Sequence, residues 1–152
     1  MNASALHSPL PPLAADGDAL GRALRRAGLT RDSVIRVTGA AGLTAMFWLG
    51  RHGYAHAAYV HPGRLATMEP CEALLLPQPC GAAELAELLK DGVSLRPGGV
   101  LIAQASPARF AAGADSVEGL FRSRGFALEH DVYDHGLDVY IARRCDGEAK
   151  AA

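Results

Sequence analysis

The run Val100-Leu101-Ile102-Ala103-Gln104-Ala105 follows a turn at Leu95-Arg96-Pro97-Gly98-Gly99. Nearly every residue in it is apolar, so it reads as a strand buried on both faces. A strand covered above and below needs helices on both sides of its sheet. That arrangement comes from parallel strands joined by helical crossovers. This one run therefore excludes most simple all-β and all-α solutions, and the rest of the chain can be read against it.

The flanking segments supply the crossovers. Asp18 to Ala27 reads as a helix, with Asp16 as its cap and Gly28 as its stop. Leu20, Leu24 and Ala27 fall on one face of it. Ser33 to Val37 is rich in β-branched residues and reads as a strand. The turn Thr38-Gly39-Ala40-Ala41-Gly42 then leads into a helix from Leu43 to Arg51. Ala55 to Val60 reads as a second strand, stopped by His61-Pro62-Gly63. Glu72 to Leu76 is a third, closed by Pro77 and Pro79. Ala82 to Leu89 and Ser116 to Arg124 are helices. Phe126 to Tyr133 and Leu137 to Arg143 are strands joined by the glycine turn Asp134-His135-Gly136, which predicts an antiparallel hairpin. The expected class is α/β: a doubly wound, mostly parallel sheet of about six strands closed by a C-terminal hairpin. Residues 1–15 form a Pro-rich arm, 16–145 the domain and 146–152 a tail.

Composition narrows the function. A chain of 152 residues is the size of one domain. Hydrophobic residues at 49% and charged residues at 20% fit a globular core and not a disordered chain. The formal net charge of -1 gives no reason to expect a nucleic-acid or acidic-lipid partner. No apolar run approaches the roughly 20 residues of a membrane helix. Met1 to Pro12 lacks the pattern of a secretory signal. Cys71, Cys80 and Cys145 are odd in number and widely spaced, which points to a reducing cytoplasm. The abundance of Ala, Gly and Arg suggests a GC-rich bacterial genome. His7, His52, His56, His61, His130 and His135 are scattered, so no metal site is expected.

Two stretches carry a family resemblance. Leu95-Arg96-Pro97-Gly98-Gly99-Val100-Leu101-Ile102 resembles the entry to the fifth strand of class I S-adenosylmethionine-dependent methyltransferases. Val117 to Phe126 resembles the helix before that family's closing hairpin. The resemblance covers roughly residues 16–144 and implies a methyltransferase-like Rossmann fold. It places the cofactor loop at Thr38, Gly39, Ala40 and Gly42, and the ribose-binding position at His61. It places an acceptor motif at Leu76-Pro77-Gln78-Pro79-Cys80, with Pro77 and Gln78 as substrate-binding candidates.

The departures from the family pattern are chemical. The pattern is an acidic residue, an apolar residue, then Gly-x-Gly-x-Gly. Here Arg36 stands at the acidic position, and Thr38, Ala40 and Gly42 stand at the three glycines. The second strand should end in a carboxylate that accepts from the ribose hydroxyls. It ends instead in His61, which offers one acceptor at most. The link from His61 to Cys71 has room for a return crossover but not for a further strand. The family's edge strand is therefore expected to be missing, leaving Ala55 to Val60 as an open edge. Its cover would be the Pro-rich arm or a second subunit, which predicts a homo-oligomer.

Simpler readings stand beside these. Gly39 and Gly42 also suit a tight strand-to-helix turn. Arg36 suits a strand end paired with an acid, or an anion site. Cys80 lies by a helix start, where a thiol is activated, but no histidine partner is assignable. Met46 to Leu49 suits core packing with part left for a subunit contact. Glu129, Asp131, Asp134 and Asp138 suit a solvated edge. The leading expectation is a methyltransferase-like protein that has lost normal S-adenosylmethionine use and serves as a binding or regulatory module. The alternatives are an active small methyltransferase with a non-standard loop, and a domain that binds another nucleotide or small anion.

Overall fold

A computed structural model describes residues 17–80, 82–105, 117–134 and 137–145. Its elements run α1 (Gly17–Arg26), β1 (Ile35–Val37), α2 (Gly42–Arg51), β2 (Ala57–Tyr59), a 3-10 turn (Pro62–Arg64), β3 (Cys71–Cys80), α3 (Ala82–Leu89), β4 (Leu95–Ala105), α4 (Val117–Ser123), β5 (Phe126–Asp134) and β6 (Leu137–Arg144). The expected arm at 1–15, the tail at 146–152, the caps Asp16 and Ser116, and the turn residues His135 and Gly136 lie outside the described residues.

The strands form one six-stranded sheet in the order β2-β1-β3-β4-β6-β5. The pairs β1–β2, β1–β3 and β3–β4 are parallel. β6 inserts antiparallel between β4 and β5. Between Val60 and Pro70 there is no strand, so β2 is the edge, as the short link predicted.

Side-chain alternation divides the core in two. Ile35, Val37, Ala73, Leu75, Val100 and Ile102 pack under α1 and α2. Leu74, Leu76, Leu101 and Ala103 pack on the other face with α3 residues Leu85 and Leu89 and α4 residue Phe121. Adjacent β3 residues Leu74 and Leu75 are both fully buried, one on each face. The apolar run of β4 is buried in the same two-sided way.

α1 ends as its sequence suggested. Gly28 takes φ 80°. The Leu29 N–H donates to Leu24 O and the Gly28 N–H to Arg25 O, each at 3.0 Å. This double bond with a left-handed glycine closes the open carbonyls, and Leu29 packs back on the core.

β1 (Ile35–Val37) and β2 (Ala57–Tyr59) are shorter than the expected Ser33–Val37 and Ala55–Val60, and two boundaries differ by more than two residues. β3 does not stop at Pro77 but continues to Cys80. Its register shifts: Leu76 pairs with Ala103 and Pro79 with Gln104, so Pro77 and Gln78 bulge out between them. Proline lacks the N–H that a regular ladder needs, and a bulge is one of the places where a strand tolerates it. β4 starts at Leu95, before the Pro-Gly-Gly turn and not after it. Leu95 pairs with Cys71 and Val100 with Ala73, so Arg96 to Gly99 loop out within the ladder. A third correction concerns Arg36. Among the described residues it pairs with no acid: its Nη1 donates to Ile35 O and His56 O, both at 3.1 Å. Those carbonyls lie at the amino end of the parallel strands, so Arg36 points away from the cofactor loop.

Candidate functional site

In a doubly wound sheet the crevice opens beyond the carboxyl ends of the strands, where the winding reverses. Here β1 connects outward to β2, while β3 connects the opposite way to β4. The reversal lies between β1 and β3, and two of the anticipated segments meet there. Thr38 leaves β1, donating its N–H to Leu75 O at 3.2 Å. Gly39 turns the chain at φ 97°. The Gly42 N–H returns to Gly39 O at 3.1 Å and starts α2. Ala41 at the N-cap gives α2 no side-chain cap. Thr38 is fully buried, and its Oγ1 has no hydrogen-bond partner among the described residues.

The β3 bulge delivers Gln78 onto this turn. A Cβ built on Gly39 would stand 2.5 Å from Gln78 Cδ and 2.6 Å from its Oε1. The carboxamide thus rests against the bare Cα of Gly39. Gly42 is covered as well: a Cβ there would lie 2.6 Å from Tyr59 Cε2. The surfaces of both glycines are thus covered by side chains of the same chain. Sequence reasoning named Gly39, Gly42, Pro77 and Gln78 but placed Gln78 on a loop. It missed Tyr59, whose only signal was its pairing with Val37, which puts its ring on the α2 face.

His61 stands beyond the end of β2. Its Nδ1 accepts the Gly63 N–H at 3.0 Å and caps the 3-10 turn. A neutral ring with Nδ1 so engaged carries its proton on Nε2, so its free edge donates. The ribose hydroxyls of the family pattern need an acceptor there. Tyr59, Val60, His61, Arg64, Thr67 and Met68 line a shallow cleft of about 350 Å³ at this corner. Two other hollows open at the far, amino end of the sheet. One lies around Arg124, Arg144 and Cys145, the other around Arg96, Gly98 and Arg143. Pro77 is buried in the bulge, and Ala40 is exposed on the turn. The side chain of Cys80 is outside the described residues.

With this geometry in hand, solved structures give the comparison. The ribosomal protein L11 methylase of Lactobacillus delbrueckii subsp. bulgaricus superposes with a TM-score of 0.58 at 12% identity, over 86% of this chain and 79% of that one. An S-adenosylmethionine-bound amino pentose methyltransferase from Micromonospora echinaspora gives 0.54 at 14% identity, over 89% and 92%. Magnesium protoporphyrin IX methyltransferase from Synechocystis, with bound S-adenosylhomocysteine, gives 0.52 at 11% identity, over 86% and 83%. The fold is that of the class I methyltransferases. No family model matches the sequence, and no curated protein matches it either. The methyltransferase fold thus stands on the course of the backbone, with its closing hairpin in the family's place. Among the described residues no helix is long and apolar enough to cross a membrane. Nor does any group of three or more His, Cys, Asp or Glu residues among them cluster to hold a metal ion.

Proposed function

We propose that this protein keeps the methyltransferase scaffold but has lost normal use of S-adenosylmethionine, and acts as a binding or regulatory module. The observation that carries this reading is the Gln78 carboxamide seated on Gly39. The cofactor loop of the family depends on open glycine surfaces, and here Gln78 and Tyr59 occupy them. The charge chemistry supports the same reading. Arg36 replaces the first acid and is turned to the amino end. His61 offers a donor where an acceptor is needed. The residues at hand do not fit this cofactor, and no methyl-transfer step is derived through it.

The neighbours that hold the methyl donor or its product favour the rival reading of a working enzyme. It requires Gln78 and Tyr59 both to swing aside on binding. Thermal unfolding with S-adenosylmethionine and with S-adenosylhomocysteine separates the two. A ligand bound only by the native state raises the melting temperature. The binding-module reading expects no shift at millimolar ligand. A saturable rise of several degrees with either compound overturns it.

A further inference from the structure

β2 is the outer strand of the sheet. Its ladder to β1 runs from the Ile35 N–H on His56 O at 3.2 Å to the Val60 N–H on Val37 O at 2.8 Å. Backbone groups alternate sides along a strand, so Ala58 is turned towards β1. Ala57 and Tyr59 then aim their N–H and C=O groups outward, away from the sheet. Of the large apolar side chains exposed among the described residues, Tyr59 (41%) stands on this edge, Leu43 (66%) lies in the first turn of α2, and Phe47 (75%) lies on the outer face of α2. On α2 each residue turns the face by about 100°. Trp48 faces α1, because a Cβ on Gly21 would lie 3.6 Å from its ring. Leu43 and Gly50 fall on the opposite flank, on the β2 side, while Phe47 faces away from the sheet, about 160° round from the buried Ala45 and Leu49. Tyr59 crosses Gly42 and joins Leu43 to the edge. An open strand edge beside exposed apolar side chains is a template for another chain.

Charge says which kind of chain. The protein has 16 aspartates and glutamates, yet Ser33 to Met68 contains none. That same stretch holds Arg36, Arg51, Arg64, His52, His56 and His61. Arg36 reaches His56 O at the start of β2, and Arg64 lines the cleft beside Tyr59 past its end. Two copies meeting edge to edge would set their arginines against each other. An acidic occupant meets them favourably.

We propose that the β2 edge docks an extended segment of a partner protein, apolar and acidic in alternation, as an added strand on Ala57 and Tyr59. Backbone pairing would supply affinity. Apolar side chains would cover Leu43 and Tyr59, and acidic ones would meet Arg36 and Arg64. The proposal does not rest on loss of cofactor use, since a docking strand suits an active enzyme equally.

The probe is a capped peptide of about ten residues alternating valine and glutamate, the span of a typical added strand. It is titrated against the full chain by fluorescence anisotropy, beside the same peptide with lysine for glutamate. The acidic peptide is expected to bind saturably, and at least about tenfold tighter than the lysine peptide. Ala57→Pro removes an outward N–H without touching the ladder to β1, and should weaken binding about tenfold or more. Leu43→Ser, exposed on the first turn of α2, is the second variant should the proline unfold the chain. Arg64→Glu should weaken the acidic peptide and strengthen the lysine one. In hydrogen exchange, the amides of Ala57 and Tyr59 should be fast in the free protein and slowed by the acidic peptide. No saturable binding overturns the proposal, as does equal affinity for the two peptides or binding unchanged in the folded variants. Amides already slow in the free protein, and released by dilution or by removal of residues 1–15, would mean that the chain covers its own edge. That result overturns the proposal too, as does preference for a single-stranded oligonucleotide over the acidic peptide.

Discussion

Gly39 must hold φ at 97° while a glutamine carboxamide leans on the place a side chain would fill. Gly98 has a similar φ of 75° but nothing within 4 Å of a built Cβ. The pair separates backbone strain from packing. Gly98→Ala is expected to cost about 1 kcal/mol, the left-handed penalty alone. Gly39→Ala should cost about 1–3 kcal/mol more, because Gln78 must also move. Adding Gln78→Ala should recover most of that excess while leaving the strain. Urea unfolding of the three variants reads this, and equal costs at the two glycines would remove Gln78 from the site. Cys71 offers a second test at this scale. Burial pushes its thiol above the usual 9.0, against the opposing pull of Arg36, a backbone hydrogen bond to Ala73 and Arg96. A folded-state value above the unfolded one means that the native state holds the proton more tightly. The contribution is whole below pH 9.0 and fades as the pH rises from there through the folded value. Wild type should therefore lose its stability advantage over Cys71→Ala as the pH rises above 9.0, and not below it. Parallel urea midpoints across that range would refute the assignment.

At the scale of elements, one residue of β6 ties three others together. Arg143 donates from Nε to Glu129 Oε2 at 2.7 Å, from Nη1 to Gly98 O at 2.7 Å and from Nη2 to Ala27 O at 3.2 Å. It joins β5, the loop within β4 and the end of α1. The ion pair with Glu129 is more than a third exposed and is discounted for screening. The two carbonyl bonds are not replaceable without leaving acceptors short. Arg143→Met should cost about 1–3 kcal/mol. Arg96→Gln breaks only the exposed bridge to Glu72 and should cost under about 1 kcal/mol. Equal losses would deny Arg143 its bracing role. The same region shows where sequence reading runs out. The strands and helices were legible from apolar runs and glycine stops. The Pro77–Pro79 segment was not, because prolines signal a turn locally while the bulge that admits them is set by pairing with β4. Gln78 was a visible candidate, but its seat on Gly39 follows from that bulge. Tyr59 over Gly42 follows from the packing of α2 on β2, which no local pattern records.

For the whole molecule, the two-sided sheet makes a specific demand. Leu74 and Leu75 are neighbours in β3, yet each belongs to a different core. Truncating either to alanine leaves a cavity and should cost about 2–5 kcal/mol. Trp48 is the sole tryptophan and packs against the core of Leu75, not that of Leu74. If the faces melted separately, Leu74→Ala would shift far-UV circular dichroism while leaving the Trp48 transition in place. The strands between the faces argue otherwise. β3, β4 and β6 contribute side chains to both cores, so neither can loosen without disturbing the ladder that holds the other. Leu74→Ala and Leu75→Ala should lower the urea midpoint alike by tryptophan fluorescence and by circular dichroism, in a single transition. A Trp48 signal blind to Leu74→Ala would mean that the sheet does not couple its two faces. The crevice between β1 and β3 would then rest on the α1 and α2 layer alone.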